Sequence, residues 1–271
     1  MGTSLACAAL LGDGRRHWGL PQLIERGRRV AEYDAIANEY RESKALPFRE
    51  CVERHTLFEL LGDVCGRTVL DLACGDGFYT RLLRQAGAAE VTGVDVSEGM
   101  VELAEDRERR QPLGCRYVCA DVAAFEPAER VDLVVAAYLL NYARTPGELV
   151  HLCRACHGAL RPGGRFVGLN NNVRNVPLAA GSLRKYGLER TWANPLAEGD
   201  AMRYTFFNAD GSQFGFDNFY LKPQTHTEAF EQAGFRGFRW CDMRLHPSEA
   251  GNPFWDEFMA NPPIVAFEAE R

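Results

Sequence analysis

The sequence predicts an α/β fold: a doubly wound, Rossmann-like, mostly parallel seven-stranded sheet with helices on both faces. Two observations predict it. Short runs that are apolar throughout alternate with helical stretches, as strands of a parallel sheet covered on both faces do. Beyond residue 169 the pattern changes to paired strands around an Asp-Gly turn, which predicts an inserted β-hairpin and helical cap.

Seven strands are predicted for the main sheet, besides the two of the inserted hairpin. Five come first, namely Thr68–Ala73, Glu90–Asp95, Cys115–Ala120, Val131–Ala137 and Arg165–Leu169. The helices between them include one that ends at Gly87 and one that begins at Ser97, a favourable N-cap. Thr225 and Glu228 have the spacing of a capping box for a later helix, after which GFRGFRWCDM and IVAFEAE supply the last two strands.

The domain organisation follows from these elements and from the 271-residue length, which suits one globular domain. We expect an N-terminal extension over residues 1–32, partly disordered or a helical arm, and a single domain over residues 33–271. Residues 173–222 form the predicted cap insertion, in which residues 176–200 are expected to be irregular or helical.

Charge and hydropathy narrow the class of partner. The net charge is −6 without a Lys/Arg block, so we expect neither nucleic acid nor an anionic membrane as partner. No positive charge precedes the apolar run SLACAALL, and no run approaches the roughly 18 residues of a membrane span. These features predict a cytoplasmic protein with a small-molecule substrate, and a homodimer is expected only because such dimers are common.

The cysteines and histidines raise the question of a metal or haem. Cys153, Cys156 and His157 have the C-x-x-C-H spacing of covalent haem attachment, but they lie in a predicted crossover helix between two strands. We interpret them as reduced cysteines of a helix. The six histidines lack paired ligand spacing, so no metal is predicted.

The segment VLDLACGDGFYT, residues 69–80, places two glycines directly after the first strand, where doubly wound folds bind ligands. An NAD fingerprint would need a third glycine, where this chain has Thr80. Asp71 and Asp76 would repel a pyrophosphate. A ligand with an adenosine and cationic centres, such as S-adenosylmethionine, is favoured instead.

Three further positions suit an adenosine. Asp95 ends the second strand, where a carboxylate accepts hydrogen bonds from ribose hydroxyls. Asp121 follows the third strand, where it would accept from the adenine amino group while Val122 offers its backbone N–H. Met100 is placed to pack on the base.

VLDLACGDGFYT, VTGVDVSEGM, CADVAAF, VDLVVAAYLLNYA and LRPGGRFVGL resemble, in order, the motifs of class I S-adenosylmethionine-dependent methyltransferases. The resemblance covers about residues 33–169, and Ala73 stands where many members have glycine. It implies S-adenosylmethionine as cofactor, with Tyr33 closing over its methionine end. The implied cofactor-binding residues are Tyr33, Asp71, Ala73, Gly75, Gly77, Asp95, Val96, Met100, Asp121, Val122 and Ala137.

A narrower similarity involves YDAIANEYRESKALPFRECVERHTLFELLGD, AAYLLNYA and the closing WDEFMANPPIVAFE. These segments look like the toxoflavin synthase-like group of natural-product methyltransferases. That resemblance implies N-, O- or C-methylation of an aromatic, heterocyclic or prenylated metabolite.

Candidate catalytic and substrate-binding residues lie near the ends of strands four and five and in the cap. The catalytic candidates are Tyr33, Tyr138, Asn141, Asn170, Asp217 and His226, of which Asp217 and His226 are the candidate bases. The substrate-binding candidates are Tyr40, Asn171, Tyr204, Phe216 and Tyr220. Each also has a structural interpretation, as a core aromatic, a loop asparagine or a half-buried strand residue.

Two other functions remain open at this stage. An NAD-dependent oxidoreductase would use the same crevice, although the acids at positions 71 and 76 argue against it. A non-catalytic cofactor-binding or scaffold protein is disfavoured because unpaired carboxylates would destabilise the fold without contributing to catalysis.

Overall fold

The computed structural model describes residues 39–175 and 183–271. The predicted N-terminal extension and the candidate Tyr33 lie outside these residues. Ten strands are found in the described part of the chain. They are β1 Thr68–Leu72, β2 Glu90–Asp95, β3 Arg116–Cys119, β4 Val131–Ala137, β5 Leu160–Asn171, β6 Leu188–Trp192, β7 Ala201–Phe207, β8 Gln213–Phe219, β9 Arg236–Cys241 and β10 Ile264–Glu270.

Seven of these strands form one sheet, in the order β3-β2-β1-β4-β5-β10-β9. Strands β1 to β5 pair in parallel, whereas β10 runs antiparallel to both β5 and β9. The strand order reverses between β1 and β4, where Val69 pairs with Leu133. The carboxyl ends of these two strands therefore flank the crevice in which doubly wound folds bind ligands. The predicted fold class is confirmed.

Six α-helices lie in the described residues: α1 His55–Leu61, α2 Phe78–Gln85, α3 Glu98–Arg110, α4 Pro146–Ala159, α5 Pro223–Ala233 and α6 Asp256–Ala260. A π-helical segment, Arg49–Arg54, leads directly into α1. Side chains of α1 and α2 bury into one core cluster, and those of α4 and α5 into another. Cys153 and Cys156 are wholly buried on the core face of α4, as a structural interpretation of these cysteines requires.

The start of α5 differs from the sequence prediction. The helix begins at Pro223 with Lys222 as N-cap, and the Thr225 hydroxyl donates to the carboxylate of Glu198 instead of capping. Proline fits the first helical position because its fixed φ suits the helix and its missing N–H is not needed there. The predicted capping box was therefore wrong.

A second sheet, β6-β7-β8, is antiparallel and lies between β5 and α5 in the chain. The predicted hairpin is its β7–β8 pair, whereas β6 falls where an irregular or helical segment was expected. In β8, Phe214, Phe216 and Asn218 are buried and Asp217 is exposed, as the alternation of a strand dictates. The Asn171 amide donates to Asn218 Oδ1 at 2.8 Å, which ties the small sheet to the end of β5.

Within residues 39–175 and 183–271, no helix combines the length and apolarity that crossing a membrane would require.

Candidate active site

The loop after β1 turns sharply by means of left-handed backbone conformations. Ala73, Gly75 and Gly77 have φ values of 58°, 55° and 76°. A Cβ at residue 77 would lie 2.5 Å from the Tyr117 hydroxyl oxygen, so this position has room only for glycine. Ala73 adopts a conformation that suits glycine better, which is consistent with the glycine many class I methyltransferases have there.

Asp71 lies under this loop and holds it. Its side chain is buried, and Oδ2 accepts a hydrogen bond of 2.6 Å from the Thr80 hydroxyl. Burial raises the pKa of Asp71 to about 7. Thr80 stands where a dinucleotide-binding fingerprint would have its third glycine. Its hydroxyl binds the Asp71 carboxyl at the end of β1, so the side chain that breaks the fingerprint has a structural role.

Asp95 connects the glycine loop with the end of β2. Its Oδ2 accepts from the Gly75 amide at 2.8 Å, and its Oδ1 accepts from the Ser97 amide at 3.0 Å. Ser97 in turn caps α3 by accepting from the Met100 amide at 3.2 Å. The carboxylate is thus fixed in orientation by two backbone donors.

The remaining cofactor candidates lie along the same edge of the sheet. Asp121 Oδ1 accepts from the Ala123 amide at 3.0 Å, and Val122 opens a 3₁₀ turn there. Met100 is buried at the start of α3, while Val96 and Ala137 are half-buried at the ends of β2 and β4. These candidates therefore lie at one edge of the parallel sheet.

Asp76, between the two glycines, is almost completely buried. Its Oδ2 lies 4.0 Å from the Arg107 guanidinium, and its Oδ1 has no hydrogen-bond partner in the described part of the chain. An unpartnered buried carboxylate oxygen is costly, so the loop is suited to a ligand that carries a donor or a positive charge.

Tyr40 stands between the glycine loop and the small sheet. Its ring packs against Phe214 and Phe216 with centroid distances of 6.1 and 6.4 Å, and a Cβ at Gly75 would lie 3.6 Å from it. Lys44 donates to the Tyr40 hydroxyl at 3.2 Å. Tyr40 therefore lies where it can contact both halves of the crevice.

Tyr138 directly follows β4 and is the second non-glycine residue with a positive φ, 73°, in the described segments. Its amide donates to the Leu169 carbonyl at 2.9 Å, so the residue is held against the end of β5. Ala73 and Tyr138 thus occupy strained conformations at the ends of two neighbouring strands. Such strain is typical of functional sites.

The Tyr138 hydroxyl donates to Glu53, which is completely buried in the π-helical segment. Glu53 also accepts from Arg49 at 2.6 Å through Oε2 and from the Tyr79 hydroxyl at 2.6 Å through Oε1. One carboxylate therefore binds the helix before the sheet, the first turn of α2 and the loop after β4. We call Arg49, Glu53, Tyr79 and Tyr138 the buried Glu53 network.

Charges within the Glu53 network compensate each other. Arg49 is 2% exposed, and burial opposes its charge, but the Glu53 carboxylate and the neighbouring tyrosines together outweigh burial and raise the pKa of Arg49. Burial together with Glu53 raises the pKa of Tyr79 and Tyr138 well above the usual value. Sequence reasoning missed Arg49 and Glu53, because an arginine and a glutamate four residues apart are typical of an exposed helix face.

The asparagines near the ends of β4 and β5 have different environments. Asn141 and Asn170 are buried, and neither amide has a hydrogen-bond partner among residues 39–175 and 183–271. Asn171 instead binds Asn218 of the small sheet. Asn141 and Asn170 remain substrate-contact candidates, whereas Asn171 has a structural role.

Neither candidate base from the sequence is placed at the crevice. Asp217 points away from the aromatic face of β8 and pairs with Arg203 at 3.2 Å, with about half of its side chain exposed. His226 is enclosed against Trp240, and its Nδ1 lies 3.0 Å from the Lys222 carbonyl of its own helix. Burial lowers the pKa of His226 to about 4. Alternation in the strand and helix packing explain both positions.

The aromatic face of the small sheet packs against Tyr40 through Phe214 and Phe216. Tyr204 is buried and stacks at 6.5 Å on Phe216. Tyr220 is nearly buried just beyond β8. Arg49 lies 5.3 Å from the Phe206 ring, so this face also meets the Glu53 network.

Residues 69–164 match the methyltransferase domain family. This part of the chain is similar to methyltransferase domains. Ubiquinone biosynthesis O-methyltransferase of Coxiella burnetii is 33% identical over 112 residues, which are 40% of this chain and 46% of that protein. The protein of the same name from Pseudomonas entomophila is 28% identical over 157 residues, 55% of this chain and 66% of that protein. The chain thus spans about half to two thirds of these curated relatives.

Solved methyltransferase structures share the fold over more of the domain. An S-adenosylmethionine-dependent methyltransferase from Mesorhizobium loti has a TM-score of 0.59 at 22% identity and covers 81% of this chain and 97% of its own. The CcbJ methyltransferase from Streptomyces caelestis has a TM-score of 0.58 at 18% identity and covers 88% of this chain and 95% of its own. At these coverages the likeness in fold extends beyond residues 69–164.

Proposed function

We propose that this methyltransferase domain transfers a methyl group from S-adenosylmethionine to a small molecule with an aromatic, heterocyclic or prenylated body. The observation that carries the proposal is the Asp95 carboxylate. It is fixed at the end of β2 by the amides of Gly75 and Ser97, at the place where a doubly wound fold receives a ribose.

The residues of the crevice suit such a cofactor. Asp95 would accept hydrogen bonds from ribose hydroxyls, Asp121 and Val122 would hold the adenine edge, and Met100 would pack on the base. Asp76 has an unpartnered oxygen for a donor at the amino-acid end. When bound, the cofactor supplies an electrophilic methyl group on a positively charged sulfur.

The chain itself contributes position and exclusion of water. Methyl transfer is an in-line displacement, so much of the rate depends on holding the nucleophile close to the methyl group and aligned with it. Tyr138 packs against the core cluster that includes Phe206, Phe214 and Phe216 of the small sheet's aromatic face. That face suits a planar acceptor. The curated relatives are named for O-methylation in ubiquinone biosynthesis, which supports a small-molecule acceptor.

The oxidoreductase alternative is not favoured. Gly77 accommodates the Tyr117 hydroxyl rather than the close approach of a pyrophosphate, and Thr80 binds Asp71. The described acids of the crevice would repel the phosphates of NAD. A non-catalytic scaffold is disfavoured because the strained backbone conformations of Ala73 and Tyr138 would then destabilise the fold without serving a function.

Calorimetric titration tests the proposal. The wild-type protein is titrated with S-adenosylmethionine and separately with NAD, and the Asp95→Asn variant is compared with Asp106→Asn. Asp106 is a half-exposed carboxylate of α3 that pairs only with nearby arginines in the described structure, so it is a matched control for loss of charge.

We expect S-adenosylmethionine to bind to the wild type and to Asp106→Asn, and to bind at least about tenfold more weakly to Asp95→Asn, the loss of one charge-assisted hydrogen bond. Binding of NAD but not S-adenosylmethionine would refute the proposal. Thermal melting of each variant separates lost binding from lost folding.

A further inference from the structure

We infer that Lys44 binds the carboxylate at the amino-acid end of the cofactor, and that the crevice thereby distinguishes S-adenosylmethionine from adenosine thioethers that lack this carboxylate. The inference rests on the proposed cofactor. The acids of the crevice suit the donors and positive centres of that cofactor, but its carboxylate requires a cation or free N–H groups. Lys44 supplies a cation beside the glycine loop.

Lys44 differs from the other lysines in its partners. The whole chain has three lysines. Lys185 Nζ lies 2.8 Å from a carboxylate oxygen of Glu257. Lys222 Nζ lies 3.5 Å from one of Glu198. Lys44 is half-buried, yet it has no carboxylate partner in the described part of the chain. A half-buried ammonium without an acid has lost hydration without compensation, which indicates a place for an anion.

Three aromatic rings surround the Lys44 ammonium. Its Nζ lies 4.6, 5.5 and 5.8 Å from the ring centroids of Tyr40, Phe78 and Tyr79. It also donates to the Tyr40 hydroxyl at 3.2 Å. Ring faces attract a cation but do not neutralise it, so the positive charge can still attract an anionic ligand.

Lys185 shows that the rings alone do not explain the missing acid. Its Nζ lies 4.9 and 5.9 Å from the ring centroids of Tyr186 and Phe254, distances similar to those at Lys44. There the carboxylate of Glu257 completes the environment of the ammonium. We assign the corresponding role at Lys44 to the cofactor.

The start of α2 favours an anion at the same point. Phe78 and Tyr79 are the first two residues of α2, which begins directly after the glycine loop with Gly77 as N-cap. Gly77 has no side chain that could accept from the first amides of the helix, so these donors are suited to an acceptor from outside. Lys44 lies over the rings of this first turn and adds a full positive charge to the helix dipole.

Asp71 lies near Lys44 but does not neutralise it. Burial raises the pKa of Asp71 to about 7, and the Thr80 hydrogen bond and the charge of Lys44 oppose that rise. A large fraction of Asp71 is therefore protonated near neutral pH. Lys44 is thus close enough to influence the end of β1, while most of its charge remains uncompensated.

The backbone presents Lys44 from an anchored turn. Residues Ser43–Ala45 form a 3₁₀ turn, and the buried Ser43 hydroxyl donates to the Tyr40 carbonyl at 2.6 Å. The Leu46 amide donates to the Ser43 carbonyl at 3.2 Å. Because the turn is already ordered, binding a carboxylate at Lys44 costs little additional conformational entropy.

Calorimetry with two thioethers tests the inference without turnover. S-adenosylhomocysteine carries the carboxylate, and its decarboxylated form, S-adenosyl-3-thiopropylamine, lacks it but keeps the amine. Both are titrated into wild type, Lys44→Met and Lys185→Met. Methionine retains an unbranched apolar chain against the rings and removes the charge. Lys185→Met is the matched control, because that lysine also lies over aromatic rings but pairs with Glu257 of α6.

We expect wild type and Lys185→Met to bind S-adenosylhomocysteine at least about tenfold more tightly than the decarboxylated form, the effect of one charge-assisted hydrogen bond. Lys44→Met should lose this preference because it binds S-adenosylhomocysteine more weakly. Its affinity for the decarboxylated form should change by less than about twofold, since that ligand has no group for Lys44 to bind.

Lysine labelling decides the outcome even if Lys44→Met fails to fold. Reductive methylation of the wild type, followed by peptide mass spectrometry, reports the reactivity of each lysine separately. Saturating S-adenosylhomocysteine should slow the labelling of Lys44 several-fold more than the decarboxylated form does. Labelling of Lys185 and Lys222 should be the same with either thioether.

Equal weakening of both thioethers in Lys44→Met would show that Lys44 only supports Tyr40, and would overturn the inference. A wild type that binds the decarboxylated form as tightly as S-adenosylhomocysteine would overturn it as well. Either result leaves the proposed function standing, because binding of S-adenosylmethionine and its dependence on Asp95 are measured separately. Failure of the wild type to bind either thioether would instead overturn the proposed function, and the inference with it.

Discussion

The two halves of the crevice are built in different ways. On the β1–β2 side, the backbone forms most of the site. Gly75 and Gly77 turn the chain in left-handed conformations, and backbone amides orient the Asp95 carboxylate. On the β4–β5 side, side chains from distant segments meet, and Glu53 joins Arg49, Tyr79 and Tyr138. We call the β1–β2 side the proposed cofactor half and the β4–β5 side the proposed acceptor half. The comparison shows that the cofactor half depends on local sequence, whereas the acceptor half depends on tertiary packing.

The largest expected effect concerns the acceptor half. Arg49→Met should lower the free energy of unfolding by about 3–5 kcal/mol, because it leaves the buried Glu53 carboxylate without its cation. Urea denaturation measures it. Arg244→Met removes an arginine from the more exposed pair with Glu59 and should cost less than about 1 kcal/mol. Equal losses in the two variants would contradict the importance of the buried pair.

The cofactor half is tested by glycine substitutions. Gly77→Ala should lower the free energy of unfolding by about 3 kcal/mol, since it adds a close contact with Tyr117 to the strain of a positive φ. Gly66→Ala has the same strain without any neighbour within 4 Å and should cost about 1 kcal/mol. Chemical denaturation of both variants isolates the contribution of the contact. A Gly77→Ala protein as stable as Gly66→Ala would show that Tyr117 moves aside freely.

The pH dependence of stability tests whether His226 lies outside the proposed acceptor half. His226 has a pKa of about 4 when folded, below the usual 6.5, so its contribution to stability is present above pH 6.5 and is lost as the pH falls toward 4. The free energy of unfolding should fall by about 3 kcal/mol as the pH is lowered through this range. His226→Gln should flatten this part of the stability profile, measured by denaturation at several pH values. A change in the pH dependence of methyl transfer at constant stability would instead restore His226 as a base.

The smallest expected effect concerns Asp217. Asp217→Asn should change the free energy of unfolding by no more than about 0.5 kcal/mol, because the carboxylate is half exposed and pairs with an equally exposed arginine. Binding of S-adenosylmethionine should be unchanged in the calorimeter. Weaker binding at unchanged stability would place Asp217 at the proposed active site after all.

The sequence was sufficient for the fold class and for placing the cofactor candidates at the edge of the sheet, because each of them lies at a fixed offset from a strand end. Asp95 and the glycine loop could be predicted from local pattern alone. Glu53 could not, since its partners Tyr79 and Tyr138 lie 26 and 85 residues away in the chain and only the folded sheet brings them together. Strand β6 was missed because LERTW is polar and takes its strand form from pairing with β7.

Asp217 and His226 show the opposite error. Both have side chains suited to acid–base chemistry, but residue type alone does not say which way a side chain points. Alternation turns Asp217 to solvent, and helix packing turns His226 toward Trp240.

The bond between Asn171 and Asn218 has an evolutionary consequence. The small sheet is inserted between β5 and α5 and is tied to the parallel sheet at its rim, so the segment proposed to shape the acceptor pocket can diverge without changing the strand order. Descendants of one ancestral cofactor domain can thereby acquire new acceptors by exchanging a single contiguous segment.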